Sequence, residues 1–233
     1  MRFEEAKKAG QYKSPLPPLG RVEGDWSDRP LAIVGTGPSL KGFDFGRFDI
    51  PGVRVLAVKE AIWDLPFAEC VFSLDRPWIN RQADKLREII NPKVFSVEPE
   101  YGPCAEIEGA LYILRSRFAG LSDDPAVIQS GGNSGFGAFN YAYLKRAKRV
   151  GLFGFDYLPG PHYCQDRYHW QEPSHNERYW RNWGDNFIDC KAQLAKAGVE
   201  VMNASPITTV QAFPKCSIED GLAWLQEKRD ADN

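Results

Sequence analysis

The sequence predicts an α/β protein built on a mostly parallel, doubly wound sheet that carries an aromatic-rich lid. Three observations predict it. Short apolar runs recur along the chain with helical spacing between them, which is the rhythm of strands joined by crossover helices. Two of these runs break into glycine-rich turns ahead of helical stretches. Residues 156–185 then gather all three histidines among tyrosines and tryptophans, which is too polar and too aromatic for a simple linker and suits a lid.

The elements follow in order. Residues 1–30 contain Ser14-Pro-Leu-Pro-Pro-Leu-Gly20 and no clear periodicity, so they read as an extended arm that packs across the domain or joins a partner. Leu31-Ala-Ile-Val34 is a run suited to a strand buried on both faces, and Gly35-Thr-Gly-Pro-Ser-Leu40 is a tight turn with Pro38 placed at a first helical position. Val53–Val58, Cys70–Leu74 and Lys93–Val97 are further strand candidates. Ile79, Ala83, Leu86 and Ile90 give residues 78–90 a helical spacing. Residues 110–114 read equally as strand or helix. Ala126-Val-Ile128 leads into Ser130-Gly-Gly-Asn-Ser-Gly135, a helix over residues 136–148, and a strand over residues 149–155. A long helix over about residues 176–197 ends at Gly198, a strand covers residues 199–202, and a last helix covers residues 218–228. At 233 residues, the length fits one large domain over residues 31–233 with its lid at about 156–185.

Composition narrows the function. Lys and Arg number 29 against 31 Asp and Glu, a net charge of −2, so there is no global electrostatic footprint for nucleic acid or an anionic membrane. The five cysteines make no C-x-x-C pair and no zinc-ligand spacing, which fits a reducing cytoplasm. Neither an N-terminal apolar segment nor a membrane-spanning run is expected.

Ligands of open parallel sheets lie outside the carboxyl ends of the strands. The residues expected there are Gly35, Thr36, Gly37, Pro38 and Ser39 after the first strand, then Lys59 and Glu60, then Asp75 and Arg76. Asn133, Ser134 and Gly135 follow the second glycine-rich turn, and Asp156 and Tyr157 follow the strand over residues 149–155. Glycine turns and free helix N–H groups suit a phosphate, so a nucleotide-type ligand is predicted. The pattern also touches the dinucleotide fingerprint G-x-G-x-x-G, with Glu60 near the distance of a ribose-binding acid, but Leu40 stands at the third glycine position.

Ile33-Val-Gly-Thr-Gly-Pro-Ser-Leu40, Phe72-Ser-Leu-Asp75, Asn133-Ser-Gly135, Gly151-Leu-Phe-Gly-Phe-Asp-Tyr157 and Val201-Met-Asn-Ala-Ser-Pro206 occur in that order. Together they resemble the motifs of the bacterial lipooligosaccharide sialyltransferases, and of the phage and motility-accessory proteins that share their Rossmann-like fold. The resemblance covers about residues 31–215. It implies that the Gly35 turn holds the nucleotide of an activated sugar, CMP-sialic acid in the sialyltransferases. Ser134 and Gly135 would lie against its cytidine and its ribose or phosphate. Lid tyrosines would help the phosphate leave, here Tyr157, Tyr163 or Tyr168, with neither metal nor cofactor. The chain departs from the family where Thr36 and Lys59 replace asparagines, and where Arg181 and Asn182 stand near the expected general-base histidine.

A general base for a hydroxyl acceptor should titrate near neutrality, which points to His162, His169 or His175. His175 comes first because it precedes the helix that carries the family base. The sequence thus predicts a metal-independent, glycosyltransferase-like enzyme that takes a sugar from a nucleotide-sugar donor, a CMP-sugar foremost. Its acceptor hydroxyl would lie on a glycan or a modified nucleic-acid base, and a homo-oligomer is compatible with the sequence. The alternatives are a nucleotide- or metabolite-binding protein without transfer and, third, an NAD- or FAD-dependent enzyme.

Overall fold

The computed structural model describes residues 16–98, 104–118, 120–164 and 177–227. Its strands are β1 (Leu31–Val34), β2 (Arg54–Val58), β3 (Cys70–Ser73), β4 (Lys93–Val97), β5 (Leu111–Ser116), β6 (Val127–Gln129), β7 (Arg149–Phe153) and β8 (Glu200–Asn203). The helices are α1 (Arg76–Arg81), α2 (Ala83–Glu88), α3 (Ser134–Leu144), α4 (Glu177–Asp185), α5 (Lys191–Ala197) and α6 (Ile218–Gln226). All the strands pair in parallel, in one eight-stranded sheet of order β6-β5-β4-β3-β2-β1-β7-β8.

This order steps outward from β1 to β6, then returns to the other side of β1 for β7 and β8. The direction reverses between β1 and β7, where the outgoing loops diverge and a crevice can open.

Side chains alternate across the sheet, so each strand feeds two cores. Leu31, Ile33, Leu56 and Phe72 pack on one face with Phe136, Phe139, Phe187 and Leu194, beneath α3 and α5. Ala32, Val34, Phe95 and Phe153 pack on the other face with Phe48, Trp78, Leu86 and Leu222, beneath α1, α2 and α6. Residues 16–30 lie against the molecule. The Gly20 N–H donates to the Tyr112 carbonyl at 2.8 Å, beside a part of β5 that short β6 does not reach. The Trp26 ring meets Tyr141 edge-on at 5.5 Å.

Three helices differ from expectation. The helix after Gly35 is only a 3-10 turn, Pro38–Leu40. The helix expected over residues 78–90 is split at Gln82, which leaves helical geometry with ψ 6°. The long helix over residues 176–197 is interrupted by a 3-10 turn, Ile188–Cys190. There Asn186 Nδ2 donates to the Gly131 carbonyl at 2.8 Å, and the adjoining Phe187 ring is fully buried among Phe136, Phe139 and Phe213. Those anchors pull the chain inward and break the helix. The ambiguous residues 110–114 fall largely in β5, whose register with β4 and β6 settles them as strand. Gly198 ends α5 in the left-handed conformation, φ 64°.

Candidate functional site

A cavity of about 390 Å³ opens over the carboxyl ends of the strands. On one side it is lined by Gly35, Thr36, Gly37 and Pro38 after β1 and by Gly154, Phe155, Tyr157 and Leu158 after β7. Its floor runs from Lys59 after β2, through Asp75 and Arg76 after β3, to Glu98 beyond β4 and Arg115 in β5. Gly132, Asn133, Ser134 and Gly135 at the start of α3 form one wall, and Trp180 and Trp183 of α4 form another.

The Gly35 turn is built by close backbone approach. The Gly35 N–H donates to the Phe153 carbonyl at 2.8 Å, and the Gly37 N–H donates to the Gly154 carbonyl at 2.9 Å. A Cβ on Gly37 would stand 2.5 Å from Asp156 Oδ2 and 2.6 Å from the Gly154 carbonyl oxygen. Asp156 itself fills the place in the turn where an anion was expected. Its carboxylate accepts from the Ser39 N–H at 2.6 Å and from Ser39 Oγ at 2.7 Å, at 1% exposure. Burial pushes this carboxyl above the usual carboxylate range, and the Ser39 bonds pull the other way. Ser39 and Asp156 therefore hold each other, and neither lines the cavity.

The floor is charged. Lys59 Nζ donates to Asp75 Oδ2 at 2.9 Å, while Asp75 Oδ1 caps α1 by accepting from the Trp78 N–H at 3.0 Å. Arg115 Nε pairs with Glu98 at 2.7 Å and donates to Ser130 Oγ at 3.0 Å. Lys59, Arg76 and Arg115 outnumber Asp75 and Glu98 along the lining, which favours an anionic occupant. Lys59 and Tyr157 both adopt left-handed backbone, φ 53° and 48°. Strain of this kind costs about 1–3 kcal/mol and gathers at functional sites.

Asn133 joins the walls. Its Oδ1 accepts from the Phe136 N–H, capping α3, and from the Tyr157 hydroxyl, both at 2.8 Å. Its Nδ2 is buried with no hydrogen-bond partner among the described residues, at a side chain that is 5% exposed and lines the cavity. A buried donor left without a partner costs about 1–3 kcal/mol. Ser134 Oγ accepts from the Leu74 N–H at 3.3 Å and ties the start of α3 to β3. Gly135 is required where it stands, because a Cβ there would lie 2.3 Å from the Tyr157 hydroxyl. Burial pushes the Tyr157 phenol well above its usual range, and its proton is engaged by Asn133.

Of the candidate bases, His169 and His175 lie outside the described residues, as does Tyr168. His162 lies within them and lines the cavity beside Thr36. Tyr163 is directed away from the cavity, donating to Asp64 Oδ2 at 2.8 Å and lying 4.8 Å from the Phe45 ring. Glu60 is 3% exposed and absent from the lining, which removes the ribose contact that a dinucleotide reading needs. Glu98, Arg115, Trp180 and Trp183 were not singled out as site residues from the sequence. Charges at the ends of two strands were the available signal for Glu98 and Arg115. Among the described residues, no group of three or more His, Cys, Asp or Glu side chains is disposed to hold a metal ion. No helix among them is long and apolar enough to cross a membrane.

No family model and no curated protein sequence matches the chain. In structure, it is similar to the MAf glycosyltransferase from Magnetospirillum magneticum AMB-1, with a TM-score of 0.57 at 12% identity. The match covers 96% of this chain and 41% of that one, so the chain spans less than half of its structural neighbour's length. At this identity the likeness is one of fold, a parallel α/β architecture.

Proposed function

We propose that the protein is a metal-independent, glycosyltransferase-like enzyme that takes a sugar from a nucleotide-sugar donor, a CMP-sugar foremost, and passes it to a hydroxyl acceptor. The observation that carries this reading is the cavity at the carboxyl ends of the strands, where Asn133, Ser134 and Gly135 at the start of α3 stand on one wall and Lys59 on the floor. A phosphate there would meet the first N–H groups of α3 and draw on the lysine charge. The acceptor oxygen attacks the anomeric carbon as its bond to the phosphate oxygen breaks, and the electron pair leaves with the phosphate. Trp180 and Trp183 offer faces against which a sugar or base can pack. A glycan or a modified nucleic-acid base would supply the acceptor hydroxyl.

A nucleotide- or metabolite-binding protein without transfer is the second reading. It is favoured by the Asp156 carboxylate already seated in the Gly35 turn and by the Tyr157 proton already engaged by Asn133. Thermal-shift and calorimetric titrations with CMP, UDP, GDP, CMP-sialic acid and NAD test both readings, followed by measurement of nucleotide release from the sugar donors. Nucleotide binding with release supports the enzyme, and binding without release supports the second reading. Asn133→Asp keeps the Oδ1 acceptor and sets a carboxylate oxygen in place of Nδ2. It should weaken nucleotide binding about tenfold or more, a loss of about 1.4 kcal/mol. Undiminished affinity in that variant overturns the phosphate placement.

A further inference from the structure

We propose that the cavity carries a second subsite, for a carbohydrate, in which the Glu98–Arg115 pair reads sugar hydroxyls and the Trp183 ring takes the sugar's apolar face. Resting on the transferase reading above, the subsite makes the acceptor a glycan.

The cavity floor is long enough for two substrates. From the Gly35 turn after β1 to Arg115 in β5 the lining crosses four strand spacings, roughly 19 Å. A phosphate at Lys59 and the start of α3 occupies only part of it. Glu98 follows β4, two spacings or roughly 10 Å from Lys59 after β2. That separation leaves room for a donor sugar between the phosphate and a group held at Glu98.

The far end is preformed for hydroxyls. The Glu98 and Arg115 side chains are 11% and 10% exposed, and both residues line the cavity. Arg115 Nε lies 2.7 Å from Glu98 Oε1, and Arg117 Nε donates to the same oxygen at 3.0 Å. Glu98 Oε2 is bonded to none of the described residues. Fully buried Ser130 fixes the guanidinium, since its Oγ accepts from Arg115 Nε at 3.0 Å and donates to the Ser116 carbonyl at 3.1 Å. A sugar hydroxyl both donates and accepts, so neighbouring hydroxyls can use a carboxylate oxygen and guanidinium N–H groups together.

The turn that holds Arg115 also carries an aromatic face. The Gly132 N–H donates to Ser130 Oγ at 3.3 Å, and a Cβ on Gly132 would stand 3.6 Å from Trp183 Nε1. The half-buried Trp183 ring is held there by Tyr157 and Trp180, with ring centres 5.9 Å and 5.1 Å away. A pyranose has a face of C–H groups and a rim of hydroxyls, which a ring and a charged pair flanking one turn can match. Nucleic acid is matched less well. Its phosphates would meet the Glu98 carboxylate, and a chain of net charge −2 has no global basic footprint to hold them.

The test uses the full chain, with and without CMP, and the methyl glycosides of glucose, galactose, mannose, N-acetylglucosamine and N-acetylneuraminic acid. Saturation-transfer NMR and tryptophan fluorescence follow the sugar, and calorimetry follows the nucleotide. At least one glycoside should bind, and Glu98→Gln should weaken it about tenfold or more while CMP affinity changes by less than about twofold. Among the monodeoxy forms of that glycoside, one should bind wild type about tenfold more weakly than the parent sugar does, yet bind Glu98→Gln as well as the parent does. A merely structural ion pair would not produce that match. Trp183→Leu should weaken the glycoside about threefold or more, and it serves where the Glu98 variant does not fold. Absence of glycoside binding, or a Glu98→Gln protein that loses CMP and sugar affinity alike, overturns the subsite. Glu98-dependent sugar binding in a protein that takes none of CMP, UDP and GDP keeps the subsite and overturns the transferase reading instead.

Discussion

Replacing Asn133 by alanine should cost far more stability than a surface asparagine would, because one oxygen serves two elements. Asn133 Oδ1 caps α3 through the Phe136 N–H and accepts the hydroxyl proton of Tyr157, each at 2.8 Å. Loss of an N-cap costs about 1 kcal/mol. The half-buried Tyr157 ring packs against Phe155 and Phe187, so its abandoned hydroxyl adds about 1–3 kcal/mol. Together they predict a destabilisation of about 2–4 kcal/mol, which for a chain of this size lowers Tm by roughly 4–16 °C. Tyr157→Phe alone leaves the cap intact and should cost about 1 kcal/mol. In the double variant the orphaned hydroxyl is gone, so the two losses should fall short of additive by about 1–2 kcal/mol. Equilibrium urea denaturation of the four proteins, followed by tryptophan fluorescence, measures the cycle. An Asn133→Ala protein within about 0.5 kcal/mol of wild type, or a strictly additive cycle, refutes the shared-oxygen account.

Gly37→Ala sets a Cβ 2.6 Å from the Gly154 carbonyl oxygen, a backbone atom that cannot swing aside. It should lose about 1–3 kcal/mol and weaken nucleotide binding, as read by thermal shift with and without CMP. Lys59→Gly should be more stable than Lys59→Ala by about 1 kcal/mol in denaturant, since only glycine relieves the φ of 53°, while both should bind nucleotide more weakly. Glu60 has a folded pKa raised above its ordinary value of 4.5, so the folded state holds the proton where the unfolded state has released it. Stability therefore falls as pH rises from about 4.5 to the folded value. Glu60→Gln should flatten that slope and leave the protein more stable at neutral pH, as denaturation midpoints across pH will show.

The strands were legible because each is a short apolar run whose alternate residues feed two buried faces, and the glycine turns marked where two of them end. The helices were less so. A helix is expected after Gly35 because Pro38 suits a first turn, but the chain leaves helical geometry at Lys41, ψ 123°. The Asp156 carboxylate that holds the Ser39 N–H comes from 117 residues away, a partner no local pattern carries. The break near Asn186 likewise depends on Gly131, 55 residues distant. Of the candidate site, residues at strand ends came from topology alone. Their pairing did not, since Lys59 with Asp75 and Asn133 with Tyr157 meet only once the sheet is assembled. The resemblance puts His175 first among the imidazoles, whereas His162 meets the backbone carbonyl of Thr36, 126 residues away, a contact that no local pattern carries.

The strand order has a consequence for a chain that is made from its N-terminus. β1 lies between β2 and β7, yet β7 begins only at Arg149, after six strands have already emerged. Until then, a strand destined for the centre has one row of backbone amides and carbonyls facing water, a template for another chain. A nascent or truncated product that stops short of Arg149 is therefore exposed to edge-to-edge association rather than being a smaller working version of the protein. Newly made copies have the greatest need of a holding chaperone in this interval, which closes as Leu31 gains its partner at Val150.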